Sequence, residues 1–403
     1  MTSRLLSPSR ARHVFAVLSV ATLTALGVSV PAQASPENER PHRKTSAAPM
    51  ETHRECGTGS FQAEVFSDSG TWTARNGTEV VHHGPGMRVA IQAAVDSLTP
   101  GRQHKERVVV RDSGTMRADR SIDLPSHTVL DVCGTIDVTG QATGNNAVIR
   151  GRHVTGVEVP HLSVTGSPWF GVFFRNVSDV HLGRIDLRLS GGLGIRVDNH
   201  ADRDRPTTDV RIDDVHVAGT DNHGVETYGV DGLTIGTVTA RDVAYSGLLL
   251  NDTTNATVGT VDAENTGAGT GYAAFRMANR NGRINGSYPT NIHVGEVIAR
   301  GGGRGVFCVS ESGGVVIDRV DIADTGNNAV LVENCYNVEI AANGGRVSGP
   351  GTIRLAARAE FPLTRDVTIH NLTVTDSEIV ERPCGRNITV ADNTLVNTPL
   401  RVC

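Results

Sequence analysis

Gly194-Ile195-Arg196-Val197-Asp198, Gly224-Val225-Glu226-Thr227-Tyr228, Gly247-Leu248-Leu249-Leu250-Asn251 and Ala274-Phe275-Arg276-Met277-Ala278 repeat one five-residue frame. A small residue opens each copy, and apolar side chains fill the second and fourth places except at Thr227. The same frame opens at Gly171, Gly305, Ala329 and Thr352, with successive openers 23 to 31 residues apart. Period-two alternation places the second and fourth residues on one face of a strand. A unit of this length cannot close its own core, so it must stack on its neighbours. A second pattern follows each opener strand, as in Val210-x-Ile212-x-x-Val215-x-Val217 and Val315-x-Ile317-x-x-Val320-x-Ile322. Each coil therefore carries two or three short strands separated by Gly, Asn and Asp turns. Leucine-rich repeats need a Leu-x-x-Leu-x-Leu frame, and propeller blades run nearer ~40–50 residues. The expectation is an all-β solenoid. After the opener strand stand Asn176, Asn199, Asp252, Asn279, Ser310 and Asn334, with Gly229 and Ala357 interrupting the column. Stacked amides there would satisfy backbone groups that the bend leaves open.

These coils, the Asn-rich turn column and an amphipathic lead-in at Met87–Leu98 resemble the right-handed parallel β-helix of the pectin-lyase-like superfamily. The resemblance covers roughly Ala90 to Val402. It implies that the helix closes the N-terminal mouth of the solenoid. It also implies activity on polysaccharides, as lyase, hydrolase or epimerase, although adhesins and phage spikes share the architecture. The motifs do not transfer intact. Polygalacturonase-type hydrolases carry Asn-Thr-Asp, Asp-Asp, Gly-His-Gly and Arg-Ile-Lys, whereas this chain offers only Asp221-Asn222-His223-Gly224. The alginate-epimerase Tyr-Gly-Phe-Asp-Pro-His is echoed by Tyr228-Gly229-Val230-Asp231 alone. Function must be argued from the site.

The N-terminus reads as a secretory signal over residues 1–34: Arg4, Arg10 and Arg12, an apolar run from Val14 to Val30, then Ala32-Gln33-Ala34. Residues 35–55 read as a flexible polar leader. Residues 56–403 read as one β-helix domain, with an N-terminal cap over 56–110 and a C-terminal cap over 383–403. Asn76-Gly77 between Thr71–Arg75 and Thr78–His82 marks a hairpin within the first cap. The chain's six cysteines all follow the cleavage site, which suits disulfides in a secreted, extracellular protein. Chain-order pairing (Cys56–Cys133, Cys308–Cys335, Cys384–Cys403) is the expectation, although spacing leaves the connectivity open. No spacing suits a zinc site. Without residues 1–34 the chain has 35 basic against 43 acidic residues, which argues against nucleic acid as a partner. A monomer off the membrane, meeting a polysaccharide, is expected.

Outward positions of the opener strands form two columns, Phe173-Arg196-Glu226-Leu249-Arg276-Phe307 and Arg175-Asp198-Tyr228-Asn251-Ala278-Val309. Coils ~4.8 Å apart bring Arg196, Asp198, Glu226, Tyr228, Asn251 and Arg276 into one patch. The two longest coils add turns at His200–Thr208 and Arg280–Thr290, which should wall that patch into a cleft. The same polar columns would also suit a solvated salt-bridge ladder. If the patch is catalytic, the first expectation is a glycoside hydrolase with Asp198 and Glu226 as its carboxylates. Their backbones, ~8 Å apart on this geometry, permit inversion. Arg196 and Arg276 should lower the pKa of Glu226 and make it the base, leaving Asp198 as acid. Arg196, His223, Tyr228, Asn251 and Arg276 would bind substrate, with no cofactor. The alternative is β-elimination from a uronate polymer. Arg196 or Arg276 then neutralises the carboxylate, Tyr228 or His223 serves as base or acid, and Ca2+ on Asp198 and Glu226 is conceivable. A third reading is a glycan-binding surface protein, with Trp169, Phe170, Phe173, Tyr228, Tyr245 and Phe307 as stacking platforms.

Overall fold

Successive copies of the frame pair in parallel and in the expected register, running Phe173↔Arg196↔Glu226↔Leu249↔Arg276↔Phe307↔Leu331↔Arg354 from coil to coil. The second and fourth residues point into the solenoid, where Val172, Ile195, Val225, Leu248, Phe275, Val306, Val330 and Ile353 are all fully buried. Thr227, the one polar member, is satisfied there by a 2.9 Å hydroxyl contact to Thr253. The computed structural model describes residues 55–267 and 269–403, all in one unit. The expected signal over 1–34 and the leader up to residue 54 lie outside the described residues.

Between opener strands the chain runs in longer strands such as Ser178–Leu189, Thr207–Ala218 and Val230–Arg241. Each bends midway, and the parallel ladder skips one residue at the bend, as at Gly183, Asp213 and Gly236. A Cβ at Gly236 would lie 2.3 Å from the Asp213 carbonyl, so this corner admits no side chain. Stacked bends divide the wall into faces around one continuous apolar core. The result is the all-β parallel solenoid that the repeat implied.

The turn column is a column of left-handed backbone more than one of stacked amides. Asn176, Asp252, Asn279, Ser310 and Asn334 have φ between 45° and 56°. Short polar side chains tolerate this region because they bond locally. Gly229 does not break the column but keeps its conformation, at φ 62°. A Cβ there would meet the Asn199 amide at 2.3 Å. The amides mostly grip the loop of the next coil. Asn176 accepts from the N–H groups of Ala201 and Asp202 and donates to Asp202 O, and Asn334 does the same around Arg358. The column thus ties the long turns to the body of the solenoid.

At the N-terminal mouth, Met87–Asp96 is helical and buries Met87, Ala90, Ile91, Ala94 and Val95. The hairpin forms as expected, Thr71–Asn76 against Glu79–Gly84, and Ala63–Asp68 joins it to the first coil through Glu106–Val110. At the far end, residues 383–403 add a further coil. Arg386–Ala391, Thr394–Val396 and Leu400–Arg401 each pair in parallel with the coil before.

The three disulfides join the cysteines in chain order. Cys308 and Cys335 are fully buried within the core, whereas Cys384 and Cys403 are exposed at the last coil. Reductant reaches exposed sulfurs first. Under native conditions, Cys384 and Cys403 should therefore label with a thiol reagent well before Cys308 and Cys335, as read by peptide mass spectrometry. Among the described residues, one group of potential ligands could hold a metal ion, Cys56, Asp131 and Cys133, and its sulfurs are joined as a disulfide. Among the described residues no helix is long and apolar enough to cross a membrane.

Candidate active site

Asp198 lies at the centre of the polar patch but is fully buried and saturated. Arg175 grips it with Nε and Nη2 at 2.6 and 2.8 Å, Arg196 Nε donates at 2.7 Å, and the His200 N–H at 3.1 Å. Burial alone would raise its pKa, but these four bonds outweigh it and hold the carboxyl below the usual range. Both oxygens are engaged and two guanidinium groups press on them. A calcium ion shared by Asp198 and Glu226 does not fit this arrangement.

Glu226 is in a different state. Its side chain is about one tenth exposed, with Arg196 Nη1 donating to Oε2 at 3.0 Å and Asn251 Nδ2 to Oε1 at 3.2 Å. Burial raises its pKa above the ordinary carboxylate value, aided by the Asp198 charge and opposed by Arg196 and Arg276. The expected depression therefore reverses. Only Arg196 stands directly beside Glu226; Arg276 is two coils away, with Leu249 between them in the ladder. Arg196 bridges the carboxylates, Nε on Asp198 and Nη1 on Glu226. A guanidinium occupies the place where an inverting pair needs its water. Asp198 is thus the anchor that orients Arg196, and Glu226 is the carboxyl of the two that binds a proton more readily.

His223 was expected to bind substrate or to serve as base or acid. It is buried, and its Nδ1 accepts the Ser246 N–H at 3.1 Å. Burial, helped by the charges of Arg276 and Arg196, lowers its pKa to about 3. The ring is neutral with its proton on Nε2, so it serves as a donor and not as a base. Tyr245 and Tyr272 pack edge-on against it at 5.3 and 5.7 Å and stack on each other at 4.0 Å. Tyr272 was not foreseen, because it lies two residues before its opener and outside both columns. A legible signal existed: Trp169, Asn222, Tyr245 and Tyr272 occupy that same place in their coils.

Arg276 makes no hydrogen bond or ion pair with any described residue, and its Nε is buried without a partner. Its guanidinium lies over Tyr272 at 5.7 Å and Phe307 at 5.4 Å. The apolar floor beside it is Leu249, buried with Phe307 and Leu331. Asn251 is held by Asn279, whose Nδ2 donates to its Oδ1 at 2.7 Å, which aims its own amide at Glu226. On the opposite side Tyr228 meets His200 edge-on at 4.4 Å and the Arg203 guanidinium at 5.1 Å. The two long turns stand as expected, carrying His200, Arg203 and Arg280 beside the patch. Cavities of about 650 Å³ and 390 Å³ open on either side, the first touching Arg196 and Trp169, the second Tyr228 and Arg203.

No family model and no curated protein matches the chain. Among solved structures it is similar to the A-module of the Azotobacter vinelandii mannuronan C-5 epimerase AlgE6, at 14% identity and TM-score 0.46 over 78% of this chain and 93% of that one. It is also similar to PfbA, a surface adhesin of Streptococcus pneumoniae, at 12% identity and TM-score 0.42 over 78% and 89%. These are likenesses of fold alone. The chemistry rests on the site: one buried carboxyl whose pKa is raised, one unpaired guanidinium, and rings along one wall.

Proposed function

We propose that the protein is an exported enzyme that cleaves a uronate-containing polysaccharide by β-elimination. The observation that carries this reading is Arg276, an unpaired, half-buried guanidinium set between two aromatic rings, two coils from a carboxyl with a raised pKa. An unpaired cation in a groove calls for an anionic ligand, and the anion of a polysaccharide is a uronate carboxylate. The sugar lies over Leu249, its carboxylate on Arg276. Tyr228, as a phenolate that has given its own proton to solvent, takes the C5 proton, the electron pair forms the C4–C5 double bond, and the C4–O4 bond breaks. Glu226 gives its proton to the leaving oxygen. His223 Nε2–H and Asn251 line the site. The hydrolytic pair is the weaker reading, because Asp198 has no oxygen left to act. Three disulfides suit an oxidising compartment outside the cell.

The test is incubation of purified protein with a panel of neutral and uronate polysaccharides, following absorbance near ~235 nm and reducing ends together. That absorbance is specific for the unsaturated uronate that elimination leaves, in contrast to the water-adding route. Both rising supports the proposal. Reducing ends alone restore the hydrolase, and silence across the panel leaves glycan binding, which Trp169 and the stacked Tyr245–Tyr272 pair would serve. Arg276→Gln is expected to lower kcat/KM on uronate polymers about 10–100-fold, the worth of a charge-assisted bond, with little change in thermal unfolding.

A further inference from the structure

Two coil steps from Glu226, the turns ahead of the opener strands enclose the cavity of about 650 Å³. Trp169 stands at its edge with 47% of its surface exposed, unusual for the largest apolar side chain in a chain holding only two tryptophans. Its backbone is fixed, since Trp169 O accepts the Leu193 N–H at 3.1 Å. The polar lining is hydroxyl-seeking. Asp221 spends one oxygen on the Gly192 N–H at 2.8 Å and keeps the other. Asn222 uses its Oδ1 on the His223 N–H at 2.8 Å, and its NH2 donates to no described residue. Arg196 reaches the same cavity, but its guanidinium is already held by Asp198, Glu226 and His200. Among the described residues, no unengaged cation faces the cavity, and one carboxylate does. A second uronate would meet repulsion there.

We propose that this cavity is a sugar subsite in which a neutral, hydroxyl-bearing ring stacks on Trp169 and is hydrogen-bonded by Asp221 and Asn222. Resting on the uronate reading of the Arg276 site, this assigns the substrate to heteropolysaccharides in which uronates alternate with neutral sugars. Trp169 and Tyr272 are four coils apart, so the groove between them is ~19 Å long and runs along the solenoid axis. The polymer lies across the coils, with a neutral residue on Trp169 held three coil steps, ~14 Å, from the uronate over Leu249.

The chain supplies its own reporter. Trp72 is buried under the N-terminal cap, so a fluorescence change on adding sugar reports Trp169. The full chain is titrated with short oligosaccharides, either alternating uronate and neutral sugar or all uronate, by fluorescence and by calorimetry. The expected result is saturable quenching by the alternating set, several-fold weaker response to the all-uronate set, and roughly tenfold weaker calorimetric binding in Trp169→Ala. Asp221→Asn is expected to narrow the difference between the sets. Equal response to both sets overturns the neutral-sugar assignment. Binding seen by calorimetry with unmoved fluorescence overturns the subsite, as does absence of binding by both methods. The two proposals fail separately: cleavage at ~235 nm with unmoved Trp169 fluorescence sinks the subsite alone, and quenching without cleavage sinks elimination alone.

Discussion

Glu226→Gln is expected to lower turnover roughly 10²–10⁴-fold, the range for loss of a positioned general acid, while thermal unfolding stays within a degree or two. The amide keeps the volume of the carboxyl and an oxygen for Arg196 Nη1. What it lacks is the transferable proton. One strain enters: Asn279 fixes the Asn251 amide so that its NH2 faces position 226, and a glutamine NH2 would oppose it. That mismatch costs about 1 kcal/mol at most, since Asn251 can reorient. The pH dependence gives an independent reading. The folded pKa of Glu226 lies above its unfolded value. Its contribution to stability is therefore full below an unfolded value of about 4.3 and is lost as pH rises through the folded one. The Glu226→Gln variant lacks this loss, so its melting temperature should gain on the wild type as pH rises. Wild-type activity should fall over the same rise, because the acid must hold its proton. A fully active variant would remove Glu226 from the mechanism.

The solenoid was legible because burial repeats: fifteen of sixteen inward positions are apolar, and a one-residue slip would turn them all outward. Register then placed Arg196, Glu226, Leu249 and Arg276 in one column with no further information. Protonation states were not legible in the same way. The sequence puts two arginines near Glu226, and charge counting makes it acidic. The structure buries it and gives Arg196 first to Asp198, so desolvation decides. Arg175 was visible in the second column, but that it would close on Asp198 depends on side-chain conformations that spacing does not carry. Tyr272 escaped because it precedes the alternating segment, where the turn and not the strand sets its direction. The burial of His223 was not legible for a similar reason, its Nδ1 being claimed by the Ser246 N–H of the next coil.

Asp198→Asn separates the two views of the patch most sharply. Were Asp198 one of a catalytic pair, the amide would remove activity and leave the fold untouched. The geometry predicts loss of both. Asparagine can accept no more than part of what two guanidinium groups and the His200 N–H now donate, and its NH2 would face a guanidinium. Breaking a buried ion pair typically costs about 3–5 kcal/mol. Here Arg175 and Arg196 each keep 19% of their side-chain surface in water and can recover some hydration, so about 2–4 kcal/mol is expected. The pH window follows from the depressed pKa of Asp198. Its stabilisation is full above an unfolded value of about 3.9 and is lost as pH falls through the folded one. The gap in melting temperature between wild type and Asp198→Asn should be widest near neutrality and close in acid. Arg175→Ala, which leaves Glu226 and Arg276 untouched, should reproduce much of the stability loss with a smaller loss of activity. Arg196 then keeps its Nε bond to Asp198 and its Nη1 bond to Glu226. If Asp198→Asn melts like the wild type yet is inactive, Asp198 belongs to the chemistry and the hydrolytic pair returns.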